Sequence, residues 1–564
     1  MHKALGKKDL INLWIQESEN YTTVDKIDNL LQSGQDLSLL PVQPLYVALK
    51  NLSVEEVSKS LIRLSPEQRE LFLDLDLWVK DSLDISSFTF WICAYHLCQD
   101  EEVKTEFVKS AEFALFLKAK FNIWTFDVEE PEYPDHDNFF LTDDSLLLFE
   151  FDEDYEYVHE VKELVKHIYY IFGVEFAYTY LFKMVTDSIS FMQEEEFQLK
   201  KSRLGDVGII DYYDSLEVEN CFPSMQHVEV FLKKKENSTA RLDAHQINQS
   251  LHHGSLISFK GQLDSLSDEL EKITSQMRID YLHFNFLRLV NGTLAFSNAM
   301  KGGSVAMTRV GNRTLSFIEL GFDYLLANWE PKEGDLFDYF VFTDLYKIGH
   351  SLVQFLRKDL KSALMKTSFE IDDADFLGKE ISGLLDLVFS DTLKVIVDEK
   401  IKVVQTINEL SLVTENSQFV IEILPFIEKF YQTIQQLKDA EKIQDDFYLN
   451  YNVAEIDFEA IFISSFANHY LGHYKNNKKP KMGLTLDEFK AFQKMILGDH
   501  NHLKGIVSLD AYLRQFFLDF GMDKIPHGSD YLYNILSEQF DGYEFSKMKD
   551  EEYKHVGGVI LLNT

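Results

Sequence analysis

From Asn51 to Asp81 the chain reads NLSVEEVSKSLIRLSPEQRELFLDLDLWVKD, with leucines and other apolar residues returning every three or four positions. That spacing predicts amphipathic helices. Ser53 with Glu56 and Ser65 with Gln68 make two capping boxes twelve residues apart, and Pro66 stands at a first helical position, where its missing N–H costs nothing. Short, serially capped helices of this kind cannot bury an apolar stripe alone, so they predict stacked pairs. The same three-and-four spacing runs through Val158, Val161, Leu164, Val165 and Ile168, within a helical pattern from Asp154 to Met192. TLSFIELGFDYLLANW, from Thr314, and SQFVIEILPFIEKFYQTIQQL, from Ser417, read as core helices.

One stretch breaks the pattern. FNIWTFDVEEPEYPDHDNFFLTDDSLLLFEF, Phe121 to Phe151, sets aromatic and apolar runs on either side of a Pro-, Asp- and Asn-rich centre, as hairpin strands flank a loop. The predicted fold is mainly α, with stacked helical pairs in several packed units and a small β element near residues 121–151. Composition shifts divide it into an N-terminal helical stack (1–120), the β element with a helical domain (121–232), a polar linker (233–255), a central helical domain (256–474), a basic loop (475–483) and a C-terminal helical segment (484–564). Gly302 and Gly303 read as a helix stop, and Trp78 as a core anchor.

At 564 residues the chain exceeds one hydrophobic core. Its 45% hydrophobic content, with 46 Phe and 26 Tyr, means that the acidity does not signal disorder. A formal charge of −38 repels phosphate backbones, so nucleic-acid binding is not expected and a basic protein partner is. Three cysteines, Cys93, Cys98 and Cys221, are odd in number, and the first two lie about 140° apart on a helix, which points to reduced thiols and a cytoplasmic location. The opening MHKALGKKDLINLWIQESEN reads as an amphipathic helix rather than a signal peptide, and no run of apolar residues is long enough to span a membrane.

LSPEQRELFLDLDLWVKD, RLGDVGIIDYYDSLEVEN, FSNAMKGG with SFIELGFDYLLANW, and FANHYLGH, in that order, resemble a bacterial family of uncharacterised proteins about this long. The opening helices resemble the helical superhelix at the cytoplasmic N-terminus of bacterial magnesium transporters. The resemblance implies an all-helical protein and carries no catalytic residues.

Four acids crowd the nine residues from Asp211 to Glu219 beside Tyr212 and Tyr213. On a helical wheel begun at Ile209, Leu216 and the tyrosines form the apolar stripe, while Asp211 and Asp214 face away and sit near a helix start that favours negative charge. A solvated helix face accounts for that arrangement. An acid/base or cation site there would enlist Glu217 and Arg203. Histidines offer other chemistry: His159, Glu163 and His167 follow at four-residue steps, and His469 and His473 fall on one helical face with metal-ligand spacing. Asp499, His500 and His502, and His252 with His253, read as polar loops. Neither a phosphate-binding glycine loop nor a nucleophile elbow occurs, and no cofactor is predicted. The leading expectation is an acidic interaction or regulatory protein. The alternatives are a metal-dependent enzyme using clustered Asp, Glu and His, and a peripheral regulator of ion transport.

Overall fold

A computed structural model describes residues 36–562 apart from 39, 41, 211, 237–263, 369–375, 398–399, 440–455, 474–482, 499–501, 521–527, 541–544, 551 and 553–559. The opening 35 residues, Asp211, the linker beyond Glu236, His252 and His253, the basic loop before Gly483, Asp499 and His500 lie outside the described residues. Chain contacts form two compact units, Met1–His350 and Ser351–Thr564.

The described chain is 69% helical and holds 20 α-helices. In the first unit these are α1 (Val42–Lys50), α2 (Val54–Leu61), α3 (Pro66–Asp76), α4 (Phe88–Leu97), α5 (Glu101–Lys109), α6 (Ala111–Lys120), α7 (Val158–Thr186), α8 (Ile189–Asp206), α9 (Tyr212–Val218), α10 (Met225–Glu236), α11 (Asp264–Glu271), α12 (Gln276–Phe296) and α13 (Gly303–Asn328). The division between units falls inside α14 (Phe342–Leu364), where the sequence offers no polar break. The second unit holds α15 (Lys379–Phe389), α16 (Ile407–Asp439), α17 (Phe458–Tyr470), α18 (Leu486–Ile496), α19 (Ile506–Asp519) and α20 (Gly528–Phe540).

Both capping boxes are present. Ser53 and Glu56 start α2 and Ser65 and Gln68 start α3, each pair exchanging side-chain and backbone hydrogen bonds. Gln68 then reaches back to the carbonyls of Leu37 (3.0 Å) and Leu40 (2.8 Å). Arg69 binds the carbonyls of Leu61 and Leu64 at the end of α2 and Glu106 on α5, so one turn of α3 ties three segments. Asp76, at its end, accepts from Tyr46 Oη (2.6 Å), Lys50 Nζ (2.9 Å) and Trp91 Nε1 (2.7 Å). Trp78 is buried, with its ring 6.2 Å from that of Phe197 and Lys200 Nζ 5.0 Å from its centre.

The small β element lies where the pattern broke. β1 (Trp78–Val79) and β2 (Ser82–Leu83) make a minimal pair, and β3 (Asn122–Thr125), β4 (Phe139–Leu141) and β5 (Leu147–Glu150) an antiparallel sheet of order β3-β5-β4, with Phe149 opposite Ile123 and Phe140. In the second unit β6 (Lys394–Val397) and β7 (Lys400–Val403) form a hairpin with Ile396 opposite Ile401.

The glycines at 302 and 303 do not stop a helix. Asn298 does so, at φ 48°, with its N–H bonded to Ala295 O and that of Ala299 to Leu294 O, the 5→2 and 6→1 pattern of a left-handed helix cap. Gly302 and Gly303 instead open α13.

Glycine decides how α13 meets α14. A methyl group on Gly321 would overlap the Leu345 carbonyl, and one on Gly349 the Phe317 carbonyl, so the two backbones touch with no room for a Cβ. Gly321→Ala is expected to lower unfolding free energy by about 3 kcal/mol, the upper range for overpacking, because backbone rather than a flexible side chain must yield. Urea titration of the purified variant measures it, and a loss below about 0.5 kcal/mol would contradict this close approach.

Candidate functional site

The segment after Arg203 sets the geometry of the first candidate site. Gly208, at φ 76°, ends α8: its N–H bonds to Gly205 O and that of Ile209 to Leu204 O, while Leu204 and Ile209 are both buried. Asn291 Nδ2 on α12 holds the Gly208 carbonyl at 2.8 Å. Arg203 therefore sits in the last turn of α8, with Glu196 two turns before it, facing α3 and α6. Its Nε and Nη2 grip both oxygens of Asp74 at 2.8 and 2.7 Å; Nη2 also lies 2.6 Å from Glu196 Oε1 and 3.4 Å from Glu112 Oε1, and Nη1 3.3 Å from Glu70.

Asp74, Glu112 and Glu196 are buried, and one carboxylate oxygen of each lies within 4.8 Å of the others. Burial, with Glu196 and Asp74 adding to it, pushes Glu112 well above the usual carboxyl range, which favours its neutral form. Burial also raises Asp74, against the pull of Arg203. Burial works against the Arg203 charge too, but Asp74 and Glu196 outweigh it and hold the guanidinium charged. Among the described residues no other three His, Cys, Asp or Glu bring ligand atoms so close. Such a trio would suit a divalent cation, yet Arg203 Nη2 already reaches all three, so the cluster works as a fastening between α3, α6 and α8.

The other sequence candidates are placed apart from this cluster. Glu217 is exposed on α9, and Asp214, half-buried, meets Lys201 Nζ at 3.1 Å. The wheel begun at Ile209 has the wrong phase: α9 starts at Tyr212, so Ser215 is buried while Tyr213 and Leu216 are exposed. Nor do His469 and His473 share a helical face. α17 ends at Tyr470, and Gly472, at φ 84°, turns the chain, with His473 N–H bonded to Asn468 O. His469 Nε2 pairs with Asp519 (2.7 Å) and His473 Nε2 with Glu488 (3.3 Å). His167 contacts Thr105 and Glu101, and the His159 ring lies against that of His96. Two of the three acids carried a signal that sequence reading passed over: Asp74 and Glu112 stand as acids inside the apolar runs LFLDLDLW and AEFALF, whereas Glu196 lies in the polar run QEEEFQLKK.

The second unit holds a groove of about 600 Å³ between α15, α16, α20 and the β6–β7 hairpin. Leu384, Leu387, Val413, Phe419 and Val420 line it, and Ile396 and Ile401, both more than half exposed, stand on its hairpin side. Tyr531 is buried with its ring 5.1 Å from Phe419, and its hydroxyl has no hydrogen-bond partner among the described residues. Lys379, Glu380, Lys394, Glu415 and Asp530 supply charge around it. α15 starts at Gly378, at φ 83°, where a Cβ would strike Glu459; Glu459 Oε1 instead accepts the Glu380 N–H at 2.9 Å and caps the helix from across the unit. Burial raises the Glu459 carboxyl to about 7, against that hydrogen bond.

Residues 24–551 match the model of a family of unknown function, DUF6178. The chain belongs to that family. No curated protein and no solved structure matches it.

Two outcomes follow for this DUF6178 member. Arg203→Leu leaves Asp74, Glu112 and Glu196 buried without their counter-charge and is expected to cost about 3–5 kcal/mol by denaturant titration; a loss under about 1 kcal/mol would mean that the cluster fastens nothing. Glu459, raised from 4.5 to about 7, binds a proton more readily folded than unfolded. Its contribution is complete below about pH 4.5 and is lost as pH rises through 7, up to about 3 kcal/mol. Denaturation midpoints from pH 5 to 8 should fall less in Glu459→Gln than in the unaltered protein, and parallel falls would show that Glu459 is not the group responsible.

Proposed function

We propose that this protein acts by binding: it is a cytoplasmic interaction or regulatory protein whose working surface is the groove of the second unit. The observation that carries the reading is a groove walled by apolar side chains and flanked by two exposed isoleucines. Apolar exposure of that kind marks interaction sites. The partner suited to it is a protein segment with apolar side chains flanked by basic ones, because a chain of charge −38 draws cationic partners over distance. Cys93, Cys98 and Cys221, none of them in a disulfide, fit a reducing compartment.

The test is chemical crosslinking of the full-length protein in extracts of its native host, comparing the unaltered chain with the double variant Ile396→Glu, Ile401→Lys. Both positions are exposed, and the opposite charges keep a favourable cross-strand pair, so folding should be unchanged. The expected result is a partner crosslinked through Lys379 or Lys394, its yield at least tenfold lower in the variant, with association slowing as salt screens the charge. An equal yield of the same partner from both proteins would remove the groove from the reading.

A further inference from the structure

The segment between α9 and α10 carries a second chemistry, in the first unit. Cys221 Sγ lies 3.3 Å from His350 Nδ1 on α14. The imidazole is buried and oriented: its ring stacks on Phe317 at 5.0 Å and 12°, and Tyr346 packs one turn before it. Glu219, two residues before the cysteine, faces the same imidazole, with Oε2 3.7 Å from Nδ1. Its Oε1 accepts from Arg313 Nη2 (3.0 Å) and Tyr346 Oη (2.8 Å). Lys347 is a further cation, over the ring of Phe222 at 4.8 Å.

These charges have an order. Arg313 and Glu219 neutralise each other, and burial raises the Glu219 carboxyl, so its charge opposes a neighbouring thiolate less than a lone carboxylate would. What remains at the centre is a thiol and an imidazole at hydrogen-bond distance, able to pass one proton between them. A thiolate, not a thiol, is the nucleophile, and a neighbouring imidazolium favours it. Among the described residues no hydrogen bond joins Cys93 or Cys98 to an imidazole; burial and Glu160 hold the half-buried Cys93 toward the thiol, and burial does the same for Cys98. Cys221 is half-buried, within reach of a small reagent.

We propose that Cys221, with His350 as its proton acceptor, is a reactive thiol site that takes hydroperoxides. Cys221 gives its proton to His350 Nδ1, and the thiolate attacks the terminal oxygen of ROOH. The S–O bond forms as the O–O bond breaks, and the departing RO⁻ takes the proton back from the imidazolium. The balance is Cys–SH + ROOH → Cys–SOH + ROH: sulfur loses two electrons and the peroxide gains them.

The test uses the purified full-length protein and its own three cysteines. Native protein is labelled with iodoacetamide between pH 5.5 and 8.5 and each cysteine followed by peptide mass spectrometry; a second sample receives hydrogen peroxide with dimedone. Cys221 should be alkylated at least tenfold faster than Cys93 and Cys98 at pH 7, its rate should level off at lower pH than theirs, and dimedone should mark Cys221. His350→Gln should slow Cys221 about tenfold at pH 7 and move its pH profile to that of an ordinary thiol, near 8.5. Equal rates at the three cysteines, or a Cys221 profile indifferent to His350→Gln, would overturn the pairing, and fast alkylation without a dimedone adduct would overturn the peroxide step. Should His350→Gln fail to fold, thiolate absorbance at 240 nm in the unaltered protein minus that of Cys221→Ser decides: a difference that titrates near 8.5 rejects the site, and one that titrates at lower pH upholds it.

Discussion

The guanidinium of Arg203 is the constraint around which the first unit is organised. Three acids from three helices, Asp74, Glu112 and Glu196, are withdrawn from water, and each would be prohibitive there without a counter-charge or a proton. Arg203 supplies the first and Glu112, held toward its neutral form, the second. Both depend on where α8 stops. The left-handed Gly208 ends the helix one turn past Arg203, and the Asn291 bond to its carbonyl anchors that turn to α12. A shift of one residue in the stop would rotate Arg203 about 100° away from α3 and α6. The backbone cap and the ion cluster therefore stand or fall together.

Much of this architecture was legible locally and little of it at long range. The capping boxes at Ser53 and Ser65 carry their own information: a side chain, three residues, and two backbone donors to satisfy. The β element around Phe121 to Phe151 was equally local, since its strands lie close together in sequence. Arg203 could be singled out, but its partners could not, because Asp74 and Glu112 lie 129 and 91 residues away and nothing in their own segments says which cation faces them. The errors over Leu216 and His473 have one cause. A helical wheel assumes an unbroken helix, but Ile209 and Ile210 lie before the start of α9 at Tyr212, and Gly472, at positive φ, ends the helical run between His469 and His473.

The same limit explains why the chemistry of Cys221 and the groove of the second unit had no sequence signature. Cys221 meets His350 across 129 residues, and Glu459 caps α15 across 79. The cap is needed because Gly378 has no side chain to offer the helix start, and Gly378 is there because any Cβ would displace Glu459. Each residue makes sense of the other, and neither reads as a cap alone.

The protonation states of four acids withdrawn from water run against the usual pattern of acid unfolding, in which native carboxylates are stabilised in their charged form. Two exposed acids follow that pattern: Glu56, bonded by the Ser53 backbone, and Asp519, bonded by His469, are both lowered. Four acids withdrawn from water, Glu112, Asp74, Glu219 and Glu459, are raised, with burial the largest cause in each. For a carboxyl raised on folding, the unfolded chain gives up its proton first, so stability from that group falls as pH climbs from the unfolded to the folded value. Self-repulsion within a chain of charge −38 grows in the same direction, as more carboxylates ionise. The interior and the surface thus favour the acid side of neutrality together, and a cationic partner would relieve the surface part while leaving the buried part untouched.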